Sequence, residues 1–247
     1  MVHDQREAAQ LSSAESALDL PGLTPTDEER DEEVEPSDRR RALTFARELI
    51  ETILLTLVIF VAVRTLVVNF RVDGESMSPS LANGEYLLVN KAVYFHFDLN
   101  AIRNILPGDD RPGRDTVYLF HPPERGDIIV FDPPVNSDKP YVKRVIGLPG
   151  DRIAVHDKGV YVNGVLIAEP YIASPPQYVY PTTGGEITVA PGNIFVLGDN
   201  RNNSSDSSRF GQVSLDNIIG KAIVSYWPRD NFGFIPHERY AGADGGN

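Results

Sequence analysis

The chain has 247 residues, 41% of them hydrophobic and 9% aromatic, which is enough for one domain with a sizeable core and a small appendage and excludes disorder throughout. It contains no cysteine, so a disulfide framework, a thiolate metal site and a cysteine nucleophile are excluded, and covalent chemistry has to rest on Ser, Thr, Lys or a carboxylate. The net charge of -12 is concentrated at one end: residues 1–38 hold 12 of the 35 acidic side chains against only Arg6 and Arg30, leaving the other 209 residues nearly neutral. A neutral body lacks the basic face that a nucleic-acid partner requires.

In chain order, residues 1–38 come first, with the run Asp27–Glu33 set among Pro21, Pro25 and Pro36 and almost no aliphatic periodicity. Such a segment buries too little apolar surface to offset chain entropy, and it is expected to be a disordered, solvated tail. Residues 39–69 follow as a basic flank and an apolar run. Thr52–Val63 has no charge, but twelve residues reach only about 18 Å, which also fits a buried core helix. Extending the run to Leu49–Val68 gives a membrane-spanning length, with Glu51 and Arg64 near its ends. The run lies too deep in the chain for a cleaved leader, so an uncleaved anchor is expected. Arg39, Arg40, Arg41 and Arg47 precede it, which places the N-terminus in the cytoplasm and the remainder outside the cell membrane.

From Phe70 the pattern becomes short β-rich runs broken by Gly, Pro, Asn and Asp, predicting a mostly β domain over residues 70–235. Strands are expected at Tyr86–Asn90, Asp127–Phe131, Tyr141–Leu148, Arg152–His156, Val160–Val162, Val165–Ala168, Ile194–Leu197 and Lys221–Trp227. Asn163-Gly164 between VYV and VLI is a hairpin signal, and Asp157, Lys158 and Gly159 predict a slightly longer turn. Residues 97–115 and 171–187 read as surface insertions, and 236–247 as a flexible C-terminal tail. Phe95, Phe97, Tyr226 and Trp227 are expected to pack inside rather than rest in a lipid interface.

The five histidines are scattered without metal-ligand spacing, and neither a GxSxG elbow nor a Gly-rich phosphate loop is present. The reading therefore assigns no metal and no cofactor. What remains is a serine hydrolase that does not use histidine. VDGESMSPSL at residues 72–81 puts Ser76 on an irregular segment between Gly74 and Pro79, where a serine presents its hydroxyl and its own N–H together. Among five lysines, Lys143 in YVKRVIGLPGD lies on the strand face of Tyr141 and Val145, while Arg144 points away with Val142 and Ile146. An apolar face disfavours the ammonium form, which is what a lysine base needs. On the residues alone the pairing stays open, since most loop serines and strand lysines are structural.

An apolar anchor followed by GESMSPSL, RGDIIVF, YVKRVIGLPGD and GDNRNNSSDSSRFG resembles, in order and spacing over residues 45–230, the type I signal peptidases, membrane-anchored Ser/Lys proteases that remove signal peptides. The resemblance implies a signal-peptidase-like β fold preceded by a single N-terminal transmembrane helix. It implies Ser76 as nucleophile, Lys143 as general base and Ser204 as the residue that orients the lysine. Asp199, Asn200, Arg201 and Asp206, with Arg144, match a charged framework beside the site, or equally strand-end caps and ion pairs. Implied partners are signal peptides of exported preproteins ending in small-x-small and membrane lipid; oligomeric state is not indicated. Gly74 stands where many relatives carry a serine that helps bind the oxyanion, leaving the Ser76 N–H as the expected donor. Arg209 arrives one residue late relative to the usual SxDSR, which puts its pairing with Asp206 in doubt. Val72 and Met77 are candidates for the substrate pockets, or simply core contacts under the loop. Competing readings are an inactive membrane-tethered scaffold of the same fold and a self-cleaving Ser/Lys protease, which would need a DNA-binding domain in place of the anchor.

Overall fold

The computed structural model describes residues 38–100 and 116–240. The expected acidic tail up to residue 37, most of the first expected insertion (101–115) and residues 241–247 lie outside the described residues.

The first element is a 29-residue helix, α1 (Asp38–Leu66). Within Arg40–Leu66 an 18-residue window has a mean hydropathy of 2.2, and none of that window is buried. At ~1.5 Å per residue a helix of this length exceeds the ~30 Å of a bilayer's hydrocarbon, so it is long and apolar enough to cross one. Thr44, Thr52 and Thr65 donate their hydroxyls to the carbonyls of Arg40, Glu48 and Val61 one turn back, so these polar side chains are satisfied within the helix. By contact the chain divides within α1, after Thr52, and every strand belongs to the second unit.

The helix ends two residues before the hydropathy boundary. Val67 and Val68, read from composition as the last residues of a span, begin strand β1 (Val67–Arg71) and pair with Asn90 and Val89 of β2 (Tyr86–Asn90). Both are β-branched residues that suit a strand better than a helix end, and the Lys91 N–H caps the last helical carbonyl, that of Leu66, at 2.8 Å.

The remaining strands are β3 (His96–Asp98), β4 (Thr116–Tyr118), β5 (Ile128–Phe131), β6 (Tyr141–Gly147), β7 (Arg152–His156), β8 (Gly159–Val162), β9 (Val165–Leu166), β10 (Ile187–Thr188), β11 (Asn193–Leu197), β12 (Val213–Ser214), β13 (Ile218–Trp227) and β14 (Gly233–Phe234). They build an antiparallel main sheet in the order β1-β2-β13-β5-β6-β11-β12, with β14 against β13; a four-stranded sheet β10-β7-β8-β9; and a β3-β4 pair. The fold is mostly β with one apolar N-terminal helix, as expected. Three apolar clusters fill it: one around Ile153, Val160 and Phe195, one around Met77, Leu87 and Ile128, and one around Phe131, Val145 and Val196. β6 is buried along almost its whole length and touches all three through Ile146, Val142 and Val145. It is a central strand buried on both faces, so burial cannot sort its alternating side chains into inside and outside.

Local turn chemistry is followed closely. Asn163 and Gly164 adopt φ of 55° and 80°, as the two-residue hairpin between β8 and β9 requires. The turn before β8 is shorter than expected: Asp157 and Lys158, at φ of 48° and 62°, make it alone, and Gly159 already pairs with His156.

Three other expectations are corrected. Residues 171–187 are not a mere surface insertion, because Tyr171, Tyr178 and Tyr180 pack against the first cluster and Tyr180 bridges to Val155. Residues 236–240 are not a flexible tail. The Tyr240 hydroxyl is 2.6 Å from that of Tyr171, and His237 Nδ1 accepts from the Ile128 N–H at 3.2 Å. Phe95 and Trp227 are exposed by 57% and 53% and are not core residues, whereas Phe97 and Tyr226 are half-buried. Strands β1, β3, β4, β10, β12 and β14 had no clear periodic signal, five of them being two or three residues long and β1 being continuous with the helix.

Candidate active site

Ser76 sits on the loop that joins β1 to β2. Val72 closes this loop at its base, donating to Glu85 O at 2.8 Å and accepting from Gly84 N at 2.9 Å. Gly74 takes a φ of +97°, a conformation that side-chain-bearing residues rarely adopt, and its N–H is fixed by Asn83 Oδ1 at 2.9 Å. From the far side Asn200 holds the loop twice, its main-chain N–H donating to Ser76 O at 3.0 Å and its side-chain amide to Glu75 O at 3.1 Å. The Ser76 N–H has no hydrogen-bond partner among the described residues.

Lys143 reaches this serine from β6, where it pairs with Ile129 of β5. Its Nζ lies 2.7 Å from Ser76 Oγ and donates to Val142 O at 2.8 Å. The residue is only 4% exposed. Burial is the largest influence on it and pulls the ammonium group down to about 8, against the opposing pull of the Asp206 and Asp199 carboxylates. A cavity of about 220 Å³ opens beside the pair, lined by Phe70, Asp73, Pro140, Tyr141, Val142 and Ser205. Among the described residues no group of His, Asp and Glu side chains is arranged to hold a metal ion.

The charged framework surrounds the pair. Arg144, the neighbour of Lys143, is wholly buried and grips the equally buried Asp199 with two bonds, Nε to Oδ1 at 2.9 Å and a terminal nitrogen to Oδ2 at 2.7 Å. It also donates to Gly126 O at 3.0 Å and lies over the Tyr171 ring at 4.0 Å. Arg201 donates through Nε to Gly198 O at 3.0 Å and pairs with Glu169 through both terminal nitrogens. Asp206 accepts from Gly198 N at 3.0 Å with one oxygen and from the backbone and hydroxyl of Ser208 with the other, capping the short helix α2 (Ser207–Phe210). Ser208 is thus the partner of that carboxylate oxygen, and Arg209 is exposed and makes no ion pair to Asp206 among the described residues.

Two sequence-predicted sites fall elsewhere. Val72 and Met77 do not line the cavity; both are buried in the cluster with Leu81, Leu87 and Ile128, beneath the loop. Ser204 Oγ is buried beside the site but makes no hydrogen bond among the described residues, and the Lys143 bonds run to Ser76 and Val142. Sequence reasoning also passed over Gly198. A Cβ there would overlap the Ser76 carbonyl oxygen and Ser204 Oγ and lie 2.7 Å from Ser204 Cβ. Its signal was the lone glycine at the end of an apolar strand, which marks a close backbone approach. Ser207, whose Oγ accepts from Val196 N at 3.0 Å, ties α2 to β11 and was likewise not singled out.

Comparison with known proteins points to one family. The family model described as "Signal peptidase, peptidase S26" matches residues 46–227. Signal peptidase I of Bacillus caldolyticus is 40% identical over 176 residues, covering 67% of this chain and 82% of the relative. Signal peptidase I of Leptolyngbya laminosa is 38% identical over 75% of this chain and 82% of its own, and signal peptidase IB of Staphylococcus aureus 32% over 75% and 93%. A crystal structure of a signal peptidase I from Enterococcus faecalis V583 is 35% identical, covers 41% of this chain and 97% of its own, and has a TM-score of 0.35. The matching family model and relatives make this chain a serine peptidase. The chain belongs to the signal peptidase family, peptidase family S26.

Proposed function

We infer that this serine endopeptidase cuts signal peptides from exported preproteins after small-x-small sites, with Ser76 as nucleophile and Lys143 as general base. The observation that carries the reading is the 2.7 Å approach of Lys143 Nζ to Ser76 Oγ, combined with burial that brings the lysine to about 8. Neutral Lys143 takes the Ser76 proton as Oγ attacks the carbonyl carbon of the residue before the cut. The peptide C–N bond breaks, and the departing amine takes that proton from Lys143. Water then gives a proton to Lys143 and attacks the acyl ester, and the enzyme is restored when Ser76 regains its proton. Val142 O orients the lysine through its 2.8 Å bond, and the unpartnered Ser76 N–H is the donor for the oxyanion.

The same reading places the chain in the cell membrane by one span, N-terminus cytoplasmic and β domain outside, on the four arginines at 39–47 and the apolar length of α1. Ser76 follows the end of α1 by ten residues, so the chain limits it to within about 35 Å of that end. A preprotein whose leader is embedded in the same bilayer presents its cleavage site in that range. The test is cleavage of a preprotein with an Ala-x-Ala site by the purified full-length protein in lipid, with Ser76→Ala alongside. Cutting at that site by the unmodified protein and none by the variant supports the reading. Absence of cutting by the folded unmodified protein overturns it in favour of an inactive scaffold.

A further inference from the structure

The cavity beside Ser76 is built from two chain segments, residues 70–76 and 140–143, with Ser205 added from a third. At the surface an ion pair ties the first two together: Lys139 Nζ is 2.6 Å from Asp73 Oδ2, with the side chains 73% and 68% exposed. Asp73 lies three residues before Ser76 and itself lines the cavity, and Lys139 adjoins Pro140, which lines it from the other segment. Both ends are held in place. The Gly74 N–H is fixed by Asn83, and the Ser137 hydroxyl bonds to both the carbonyl and the N–H of Lys139. Neither charge takes part in the chemistry assigned to Ser76 and Lys143.

We propose that Asp73 and Lys139 are the charge-selecting residues of this cleft, acting on preprotein side chains next to the cut. The inference rests on the proposed function, because it places a peptide between the two segments. A chain lying there passes the ion pair. An acidic side chain at that point draws Lys139 away from Asp73, a basic one draws Asp73 away from Lys139, and either gain is offset by loss of the pair. Paired, the two residues make the cleft indifferent to the sign of charge. Unpaired, the residue left behind selects the opposite sign.

The experiment uses the full-length enzyme in lipid vesicles and three preproteins that differ only in Gln, Glu or Lys, placed in turn at each position from the fourth before the cut to the second after it. At one or more positions Asp73→Asn is expected to raise the Glu-to-Lys ratio of kcat/KM about threefold and Lys139→Gln to lower it by a similar factor, in the range of exposed ion pairs. The swapped pair Asp73→Lys with Lys139→Asp should bring the ratio back towards that of the unmodified enzyme, and about 0.5 M salt should shrink all the differences. Ratios unchanged in both single variants at every position overturn the proposal, as does a swap that leaves the ratio where a single variant put it. Failure of the unmodified enzyme to cut even the Gln preprotein overturns the proposed function itself, and this inference with it.

Discussion

There is no room for a side chain between Gly198 and the carbonyl oxygen of Ser76: a Cβ on that glycine would lie well inside van der Waals contact with the oxygen and with Ser204 Oγ. The backbone of the GDNR turn is therefore a wall against which the Ser76 loop is set, and Asn200, two residues on, bonds the same carbonyl at 3.0 Å. Gly198→Ala should push the Ser76 loop away from Lys143. A displacement of about 1 Å at reacting groups costs on the order of 100-fold in rate, so kcat/KM should fall by that order while circular dichroism still reports the β fold. Retention of more than a tenth of the activity would show that the loop adjusts without moving Ser76.

The short approach of Lys143 to Ser76 makes the two a unit. Ser76→Ala and Lys143→Ala should each abolish turnover, and the double variant should be no worse than either, as for other groups that act together. Single-turnover cleavage assays on all three variants check this. Additive losses would separate the two roles.

Because burial brings Lys143 to about 8, kcat/KM should rise with pH up to about that value, roughly tenfold per unit on the acidic limb. The Asp206 carboxylate favours the ammonium form, so Asp206→Asn should move the limb to lower pH if the variant melts cooperatively. A limb that stays in place would remove Asp206 from the electrostatics of the base. The same shift has a stability consequence. Between about 8 and 10.5 the unfolded chain keeps a proton that folded Lys143 has lost, so this residue makes stability rise with pH across that window, by roughly 3 kcal/mol in all. The difference in urea stability between the unmodified protein and Lys143→Met, followed from pH 7 to 10.5, isolates that contribution.

Removing Asp199 leaves Arg144 wholly buried without its carboxylate. Asp199→Ala is expected to cost about 3–5 kcal/mol, which at this domain size lowers Tm by roughly 10 °C. Adding Arg144→Met should recover part of the loss, since an apolar replacement leaves no unpaired charge. Thermal melts of both variants decide the matter, and Tm values equal to that of the unmodified protein would mean that the pair is dispensable.

Ser204 separates two accounts of how the lysine is aimed. Its Oγ makes no hydrogen bond among the described residues, whereas Val142 O accepts from Lys143 directly. Ser204→Ala should accordingly reduce kcat by less than about tenfold, the scale of one neutral hydrogen bond, with the pH profile unmoved. A far larger loss, accompanied by a shifted profile, would assign the orienting role to Ser204 after all.

Much of this molecule is written locally. The apolar run of α1, the Asn163-Gly164 hairpin, the positions of β7 and β8 and the appearance of Ser76 and Lys143 within long motifs are all properties of neighbouring residues, and each is legible from the chain. Local patterns of backbone geometry and hydropathy act over a few residues, so a reading of a few residues captures them. The end of α1 is the instructive near miss. Hydropathy carries the span through Val68, but Val67 and Val68 gain strand partners in β2, which lies twenty residues further on, and that pairing decides the boundary.

The rest was decided by contacts between distant segments. Val72 and Met77 are apolar residues beside a nucleophile, and only the packing of Leu87, Ile128 and Val142 beneath the loop turns them inward, away from the cavity. The sequence sets Arg144 on the strand face of Val142 and Ile146, and only the fold brings Asp199, 55 positions away, to meet it in the interior. Asp73 and Lys139, 66 positions apart, become a pair across a cleft for the same reason. Sequence alone supplied the motifs that single out the candidate residues for the chemistry. Tertiary structure decided which charges face each other and which side chains leave the water, because burial and electrostatic pairing depend on distance in space, and the chain sets that distance only once the sheet has closed.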